Sequence, residues 1–311
     1  MTQLSRRSVL AATASLCAAR FASPTLAASD DFKLNYILSS AMYGKAPLTQ
    51  ILPQVRLAGA RVVDIWPAPH GNQREQVDQM GVDKFGNLLA EYECHLGGIA
   101  CYRFGAMNLQ PQMKLAADLY ARDVALVCGG QGPKDATGEE LKKGVKHFVE
   151  KLKPHHEAAA KHACFICIEN HVNNIICSPD SMKYFAEYSA DLPRLGIAFA
   201  PHHLPQDAAL QARLIEDLGP AINFFYAQEH GKGSHHKQPR EDEHLQMPHL
   251  GPLDFKPLVA ALRKINFTGR TEIFMHPFPR GVPILDSNDA ITAEINDCRA
   301  YLDRCVQETR S

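Results

Sequence analysis

The chain has 311 residues, of which 45% are hydrophobic and 22% are charged, as in soluble globular proteins. This length is enough for one large domain or two smaller ones. The formal net charge is -1, which argues against a general nucleic-acid-binding protein because such proteins usually carry a basic excess.

The first 28 residues have the features of an export signal. Arg6 and Arg7 form a twin-arginine pair in front of an Ala-rich stretch, and residues 25–28 offer small side chains for cleavage. The apolar stretch is short and contains Arg20, so we expect no stable membrane insertion after cleavage. We predict a twin-arginine (Tat) signal at residues 1–28, which directs the protein through the Tat machinery to the periplasm or another exported location. An ordinary secretory signal and a retained anchor are the alternatives.

Residues 29–311 show alternating strand and helix patterns. Apolar, β-rich runs predict strands at 32–39, 60–66, 95–102, 123–128, 166–172, 196–203, 222–230 and 271–276. Helical spacing predicts helices at 48–58, 77–93, 111–121, 139–162, 180–191, 207–218, 255–265 and 290–307. This alternation predicts an α/β fold, a (β/α)8 TIM barrel, in one domain. A doubly wound open sheet is the alternative, but no Gly-x-Gly-x-x-Gly motif follows the first strand.

Residues 230–252 form a polar insertion that is rich in His and Gly and has little periodicity. Loops of this length inside a compact domain are usually functional or disordered. The insertion could act as a lid that excludes water from a site at the end of the barrel.

Polar side chains end several of the predicted strands. Glu169 and His171 follow an apolar run and share one face of their strand, and Glu272 and His276 share a face of the last strand. A charged side chain cannot easily face the apolar helix layer, so we expect both glutamates to point into the barrel. Two inward carboxylates repel each other unless a proton or a cation lies between them. A divalent metal such as Mn, Mg, Co or Zn would satisfy them, whereas structural salt bridges are the simpler alternative.

Three other features leave two interpretations open. Trp66, the only Trp, could form an apolar wall for a sugar or simply pack in the core. Asp64 could help to bind a substrate or could satisfy the bottom of the barrel. The thiols of Cys101, Cys128 and Cys167 lie in apolar runs and are predicted to be buried and free, although export would permit disulfides.

Four motifs carry a resemblance to a known family. They are Ile-Glu-Asn-His at 168–171, Gly-Ile-Ala-Phe-Ala-Pro-His-His-Leu at 196–204, Tyr-Ala-Gln-Glu-His-Gly-Lys-Gly at 226–233 and Gly-Arg-Thr-Glu-Ile-Phe-Met-His-Pro at 269–277. On these motifs the chain resembles the xylose isomerase-like TIM barrels, the sugar phosphate isomerase/epimerase family. The resemblance extends over the whole chain after the signal.

The resemblance implies a metal held by Glu, Asp, His and Glu from the last four strands. Glu169 matches the first of these ligands, and the last falls near Glu272. The Asp of the second motif is replaced by Ala200, and the third ligand aligns with Tyr226. The resemblance therefore implies a set of metal ligands in which nearby side chains act as substitutes: Glu169, Gln228, His230 and Glu272.

The resemblance also implies an isomerase or epimerase that acts on a carbohydrate. Glu169 and Glu272 would exchange a proton on opposite faces of an enediolate, and the metal would polarise the substrate carbonyl. Substrate binding would fall to His203, Trp66, His171 and His276. The same proton abstraction would also support a lyase on oxidised (keto) glycosides by β-elimination. A carbohydrate-binding barrel without catalysis is another alternative, and a repair endonuclease fits least with export and the missing ligands.

Overall fold

The computed structural model describes residues 31–310, so the predicted Tat signal at residues 1–28 lies outside the described residues. Eight parallel strands close into a barrel in sequence order, which confirms the predicted (β/α)8 TIM barrel. The strands are β1 (Asn35–Leu38), β2 (Val62–Ile65), β3 (His95–Ala100), β4 (Val124–Gly129), β5 (Cys164–Glu169), β6 (Leu195–Phe199), β7 (Ile222–Ala227) and β8 (Arg270–Ile273).

Helices cover the outside of the barrel and connect successive strands. They are α1 (Leu48–Leu57), α2 (Gln73–Met80), α3 (Val82–Glu91), α4 (Gln110–Asp118), α5 (Gly138–Lys161), α6 (Pro179–Tyr188), α7 (Ala208–Leu218), α8 (Arg240–His244), α9 (Lys256–Lys264) and α10 (Asn288–Glu308). In the described part of the chain, no helix combines the length and the apolar character needed to cross a membrane.

The strands are apolar on both faces because one face meets the helices and the other fills the barrel. The last four strands are shorter at their carboxyl ends than predicted: β5 ends at Glu169, β6 at Phe199, β7 at Ala227 and β8 at Ile273. The polar residues beyond these points leave the ladder and form the rim of the barrel. Residues 201–203, for example, form a turn of 3-10 helix directly after β6.

One helix differs from its prediction, and another contains an internal proline. The segment predicted as one helix at 77–93 forms α2 and α3, which are divided at Gly81, whose φ of +83° lies in the left-handed region that favours glycine. In contrast, α5 continues through Pro154. The carbonyl that this proline leaves without a helical partner belongs to Glu150, which is exposed, so water can replace the lost hydrogen bond.

The insertion at 230–252 contains α8 and is anchored to the rim by Gln246. This buried amide accepts a hydrogen bond from the backbone N–H of His276 at 3.1 Å and donates one to the His276 carbonyl at 3.0 Å. It also accepts a hydrogen bond from Gln228 at 2.9 Å. The insertion is therefore held to both β7 and β8 at the end of the barrel.

The thiols singled out in the sequence are free and buried, as predicted. Cys101, Cys128 and Cys167 each have almost no exposed surface, and the cysteines of the described residues form no disulfide.

Candidate active site

A cavity of about 80 Å³ lies at the carboxyl end of the barrel, where active sites of this fold are found. It is lined by side chains from the ends of β2, β3 and β5 to β8 and from the loops that follow them: Trp66, His70, Tyr102, Glu169, His171, His203, Tyr226, Ser234, His235, Phe274, His276 and Arg280.

Glu169, His171 and His203 form a triad on the β5 and β6 side of the cavity. The Nε2 atom of His203 lies 3.7 Å from Oε1 of Glu169, and the rings of the two histidines are 4.1 Å apart. One ligand atom from each residue lies within 4.8 Å of the other two. The Nδ1 atom of His171 is 2.5 Å from the carbonyl of Val172, a contact in which Nδ1 donates because a carbonyl oxygen can only accept.

The triad depends on a side-chain clamp between β5 and β6. Asn170 is fully buried; its Oδ1 accepts a hydrogen bond from the Ala200 N–H at 2.7 Å and its Nδ2 donates one to the Ala200 carbonyl at 3.0 Å. These bonds replace the ladder where both strands have ended, and they hold Glu169 beside the turn that carries His203.

Burial raises the pKa of the Glu169 carboxyl, while His171 and a hydrogen bond from Tyr102 lower it. Its ionised form has no Lys or Arg partner among residues 31–310, and it lies 3.7 Å from the His203 imidazole. Burial also lowers the pKa of His203 to about 2, so this imidazole is neutral at pH 7 and offers a lone pair.

An aromatic floor lies next to the triad. Trp66 stacks on Phe274 at 5.0 Å with an interplanar angle of 11° and on Tyr102 at 5.6 Å with an angle of 25°. Tyr226 packs on Phe274 at 5.9 Å, and its hydroxyl is 3.1 Å from that of Tyr102. The floor presents apolar ring surface together with two hydroxyl groups to whatever enters the cavity.

The β2 and β8 side of the cavity carries His70, His276 and Arg280. The two imidazole rings are 5.1 Å apart. Burial lowers the pKa of His70 to about 4 and that of His276 well below its ordinary value, and the charge of Arg280 lowers both further. Arg280 is held by hydrogen bonds to the carbonyls of Pro277 at 2.9 Å and Ser234 at 2.8 Å. At pH 7 this side therefore has one cation and two neutral imidazoles.

Glu272 points into the barrel, but it does not line the cavity. It lies next to Asp64, whose Oδ1 accepts a hydrogen bond from the Ser40 N–H at 2.6 Å and whose Oδ2 accepts one from Nε1 of Trp66. Burial raises the pKa of Asp64 to about 7 and raises that of Glu272 well above its usual range, with the neighbouring Asp64 as the next cause. Because both Asp64 oxygens accept hydrogen bonds, Asp64 is the ionised member of the pair and Glu272 holds the proton.

The other two predicted metal ligands lie away from the triad. Gln228 is buried and donates to Gln246, and it does not line the cavity. His230 is exposed, and its Nδ1 lies 3.2 Å from the His202 carbonyl. Of the four predicted ligands, Glu169 is the one that the structure places in the triad.

All four predicted substrate-binding residues line the cavity, namely His203, Trp66, His171 and His276. Their roles in binding stay predictions. Sequence reasoning did not select Tyr102, His70 and Arg280 as site residues. Tyr102 could have been found because it is the last residue of the third predicted strand, whereas Arg280 comes from a loop whose path no local pattern indicates.

The triad is a suitable donor set for a divalent metal. Two imidazoles and one carboxylate are ligands that Zn and other first-row metals take in proteins. The buried Glu169 carboxylate also has no Lys or Arg ion pair in the described chain, which leaves its charge for a metal to balance.

Comparison with known proteins places this barrel in a family. Residues 52–295 match the sequence model of the xylose isomerase-like TIM barrel family, and the chain belongs to that family. A search of curated proteins finds no significant match.

Several solved structures share the fold. A D-psicose 3-epimerase crystallised with D-fructose has a TM-score of 0.65 at 12% identity, covering 88% of this chain and 99% of the other. The IolI protein with a bound zinc atom has a TM-score of 0.62 at 13% identity, covering 89% and 98%. A probable 3-DHS dehydratase from Bacillus anthracis has a TM-score of 0.60 at 15% identity, covering 84% and 97%. At these identities the similarity is one of fold.

Proposed function

We propose that the protein is a carbohydrate isomerase or epimerase that acts by proton transfer at Glu169. The observation that carries the proposal is the arrangement of the cavity, in which a buried carboxylate with two imidazoles faces an aromatic floor. Membership of the xylose isomerase-like family supports this class of reaction.

Glu169 is the proposed base. Its raised pKa makes its carboxylate a better proton acceptor than an exposed glutamate, and it is held on the end of a rigid strand. In an aldose–ketose isomerisation it takes a proton from the carbon next to the carbonyl and returns it to the former carbonyl carbon, while a hydroxyl proton moves between the two oxygens. One carboxylate on one face of the substrate is enough for this exchange.

The aromatic floor and the imidazoles would hold the sugar. Trp66 and Phe274 offer flat surface for the C–H face of a sugar ring. His70 and His276, which are neutral at pH 7, can both donate and accept hydrogen bonds to hydroxyl groups. The insertion supplies Ser234 and His235 to the cavity and would exclude water.

A divalent metal would be held by Glu169, His171 and His203. When bound, it would supply Lewis-acid polarisation of the substrate carbonyl. Among the metals Mn, Mg, Co and Zn, two imidazole ligands favour Co or Zn over Mg, which prefers oxygen.

This proposal gives Glu272 a different role from the one predicted from the sequence. Its carboxyl lies outside the cavity lining and shares a proton with Asp64, so we propose that it positions Trp66 through Asp64. Epimerisation, which needs a second proton carrier on the other face, would use an imidazole from the β2 and β8 side.

A lyase acting on oxidised (keto) glycosides by β-elimination is the second candidate. Glu169 is the one carboxylate among the described residues that line the cavity, and an elimination needs one base. The similarity in fold to a probable dehydratase is compatible with it.

The test is solvent exchange at the substrate carbon. The purified protein is incubated in heavy water with a panel of aldoses, ketoses and keto-glycosides, and deuterium incorporation is followed by NMR and mass spectrometry. We expect incorporation to fall by about 10²- to 10⁴-fold in Glu169→Gln and to be unchanged in Glu187→Gln, an exposed control on α6.

The products distinguish the two candidates. An isomerase conserves the mass of the substrate apart from deuterium, whereas a lyase releases the aglycone. A carbohydrate that binds to the wild type without any exchange or mass loss would contradict both and indicate a non-catalytic binding barrel.

A further inference from the structure

A second group of metal-ligating side chains lies outside the active site, where the insertion meets α10. His249 comes from the end of the insertion, and Glu294 and Cys298 come from α10. The Nε2 atom of His249 and the Sγ atom of Cys298 each lie 4.0 Å from Oε1 of Glu294. One ligand atom from each residue lies within 4.8 Å of the other two.

The local sequence explains why two of these donors are aligned. Glu294 and Cys298 are four residues apart on one helix, so their side chains project from the same face. Cys298 is fully buried, Glu294 is partly buried, and the His249 side chain closes the cluster from the solvent side. His249 has a φ of +71°, in the left-handed region where His is one of the more common residues after Gly. Its ring lies 5.9 Å from that of Tyr301 on α10.

Acidic side chains surround the cluster, and burial raises the pKa of one of them, Glu229, to about 7. The carboxylates of Glu229, Glu294 and Asp297 all lie close enough to the Cys298 thiol for their charges to act on it. Glu229 is fully buried; one of its oxygens accepts a hydrogen bond from the Leu253 N–H at 2.7 Å, and the other, Oε1, has no hydrogen-bond partner. Within residues 31–310, no Lys or Arg forms an ion pair with Glu229 or Glu294.

The donors and the charge are suitable for zinc. A thiolate sulfur, an imidazole nitrogen and a carboxylate oxygen are the three ligand types of zinc in proteins, with bonds of about 2.3 Å to sulfur and about 2.0 Å to nitrogen and oxygen. Tetrahedral bonds of these lengths separate the donors by roughly 3.5 Å. The two separations of 4.0 Å therefore have to shorten by about half an ångström. The separation between His249 and Cys298, which is at most 4.8 Å, has to shorten by no more than about 1.3 Å, and rotation of the side chains can supply both changes.

We propose that His249, Glu294 and Cys298 bind a Zn²⁺ ion that fastens the insertion to α10. On binding, the Cys298 thiol releases its proton to solvent as the sulfur–zinc bond forms, and a water molecule or Glu229 occupies the fourth position. The ion balances the carboxylates and ties the segment that supplies Ser234 and His235 to the active-site cavity. Its role is structural, and it is separate from the triad around Glu169.

Cobalt substitution tests the proposal, because a thiolate bound to Co²⁺ gives a near-ultraviolet charge-transfer band and the active-site triad contains no thiol. The purified protein is stripped of metal with a chelator and loaded with Co²⁺, and its absorption spectrum is recorded. Zn²⁺ stoichiometry is then measured by mass spectrometry after gel filtration.

We expect the band in the wild type. Cys298→Ser should lose the band and should bind one equivalent of zinc less than the wild type. Cys305→Ser, at another buried cysteine of α10 outside the cluster, should retain both. Glu169→Gln should retain the band whether or not the triad binds metal, so the two sites are separable.

His249→Asn provides a second variant if Cys298→Ser fails to fold. Asn tolerates the left-handed backbone conformation, and the exchanged side chain is partly exposed. We expect this variant to fold and to lose the band or bind Co²⁺ at least about tenfold more weakly. Absence of the band in the wild type, or its full retention in Cys298→Ser or His249→Asn, would overturn the proposal.

Discussion

At the scale of single residues, the structure gives different positions to two glutamates that look alike in the sequence. Both glutamates lie in apolar strands near the carboxyl end of the barrel, and both are buried. Glu169 is the last residue of β5 and faces the cavity, whereas Glu272 lies beside Asp64 and does not line it. Alternation predicts the direction of a side chain but not its depth along the barrel axis.

The protonated state of Glu272 predicts how stability depends on pH. Because its pKa is raised in the folded protein, the native state keeps a proton that the unfolded chain loses above its ordinary value of 4.5. Stability therefore falls as the pH rises from about 4.5 towards the folded pKa. Glu272→Gln has no such proton to lose. Between about pH 5 and pH 9, we therefore expect the free energy of unfolding of the variant to rise by at least about 1.4 kcal/mol relative to that of the wild type.

Urea unfolding followed by circular dichroism at both pH values measures this difference. Asp303→Asn, at a site on α10 away from the Asp64 pair, serves as the comparison. If the wild type and Glu272→Gln show parallel pH profiles, Glu272 does not hold a proton in the native state.

At the scale of secondary-structure elements, the rim is organised by side chains that act where the strands have ended. Asn170 joins the ends of β5 and β6, and Gln246 joins the insertion to β7 and β8. Both amides are fully buried and use donor and acceptor atoms together. They hold the elements that carry the triad and the imidazoles, although neither amide lines the cavity.

The Asn170 clamp predicts a linked loss of stability and function. Asn170→Ala leaves the N–H of Ala200 without a partner in a buried position, while the Ala200 carbonyl keeps its second hydrogen bond, from the His203 N–H at 3.2 Å. The loss should cost about 1–3 kcal/mol. Since the clamp holds Glu169 beside His203, exchange activity and metal affinity should also fall. Chemical unfolding and metal titration measure the two effects.

Asn108→Ala provides the control for this clamp. It removes one exposed hydrogen bond to the Phe104 carbonyl and should cost less than about 1 kcal/mol. Equal stabilities of the Asn170 and Asn108 variants would show that β5 and β6 stay together without the clamp.

At the scale of the whole molecule, the barrel closes with neighbouring strands in sequence order, and the insertion covers part of its carboxyl end. The amino-terminal 28 residues lie outside the described residues, and export remains a prediction from their sequence.

The Tat prediction can be tested on the complete chain. Replacing Arg6 and Arg7 together with Lys should stop export and leave the uncleaved protein inside the cell, because the twin-arginine pair is the recognised feature. Cell fractionation and the mass of the exported protein measure this, with Arg20→Lys as the control. Undiminished export of the double variant would indicate an ordinary secretory signal.

The sequence by itself determined the fold and much of the rim. Eight apolar runs separated by segments of helical spacing are compatible with few folds. The barrel and the residues at its carboxyl end therefore follow from periodicity. The residues selected at the rim were Glu169, Trp66, His171, His203 and His276, with the role of His203 implied by the family resemblance, and all of them line the cavity.

Tertiary structure alone decided which of these polar groups meet. The triad forms because β5 and β6 stop short of the predicted ends and Asn170 joins them, so His203 reaches Glu169 from a turn. The depth of Glu272 and the approach of Arg280 depend on contacts between segments far apart in the chain. Local sequence patterns specify the type of each element and the face on which a side chain lies. Distances across the barrel depend on how the elements pack.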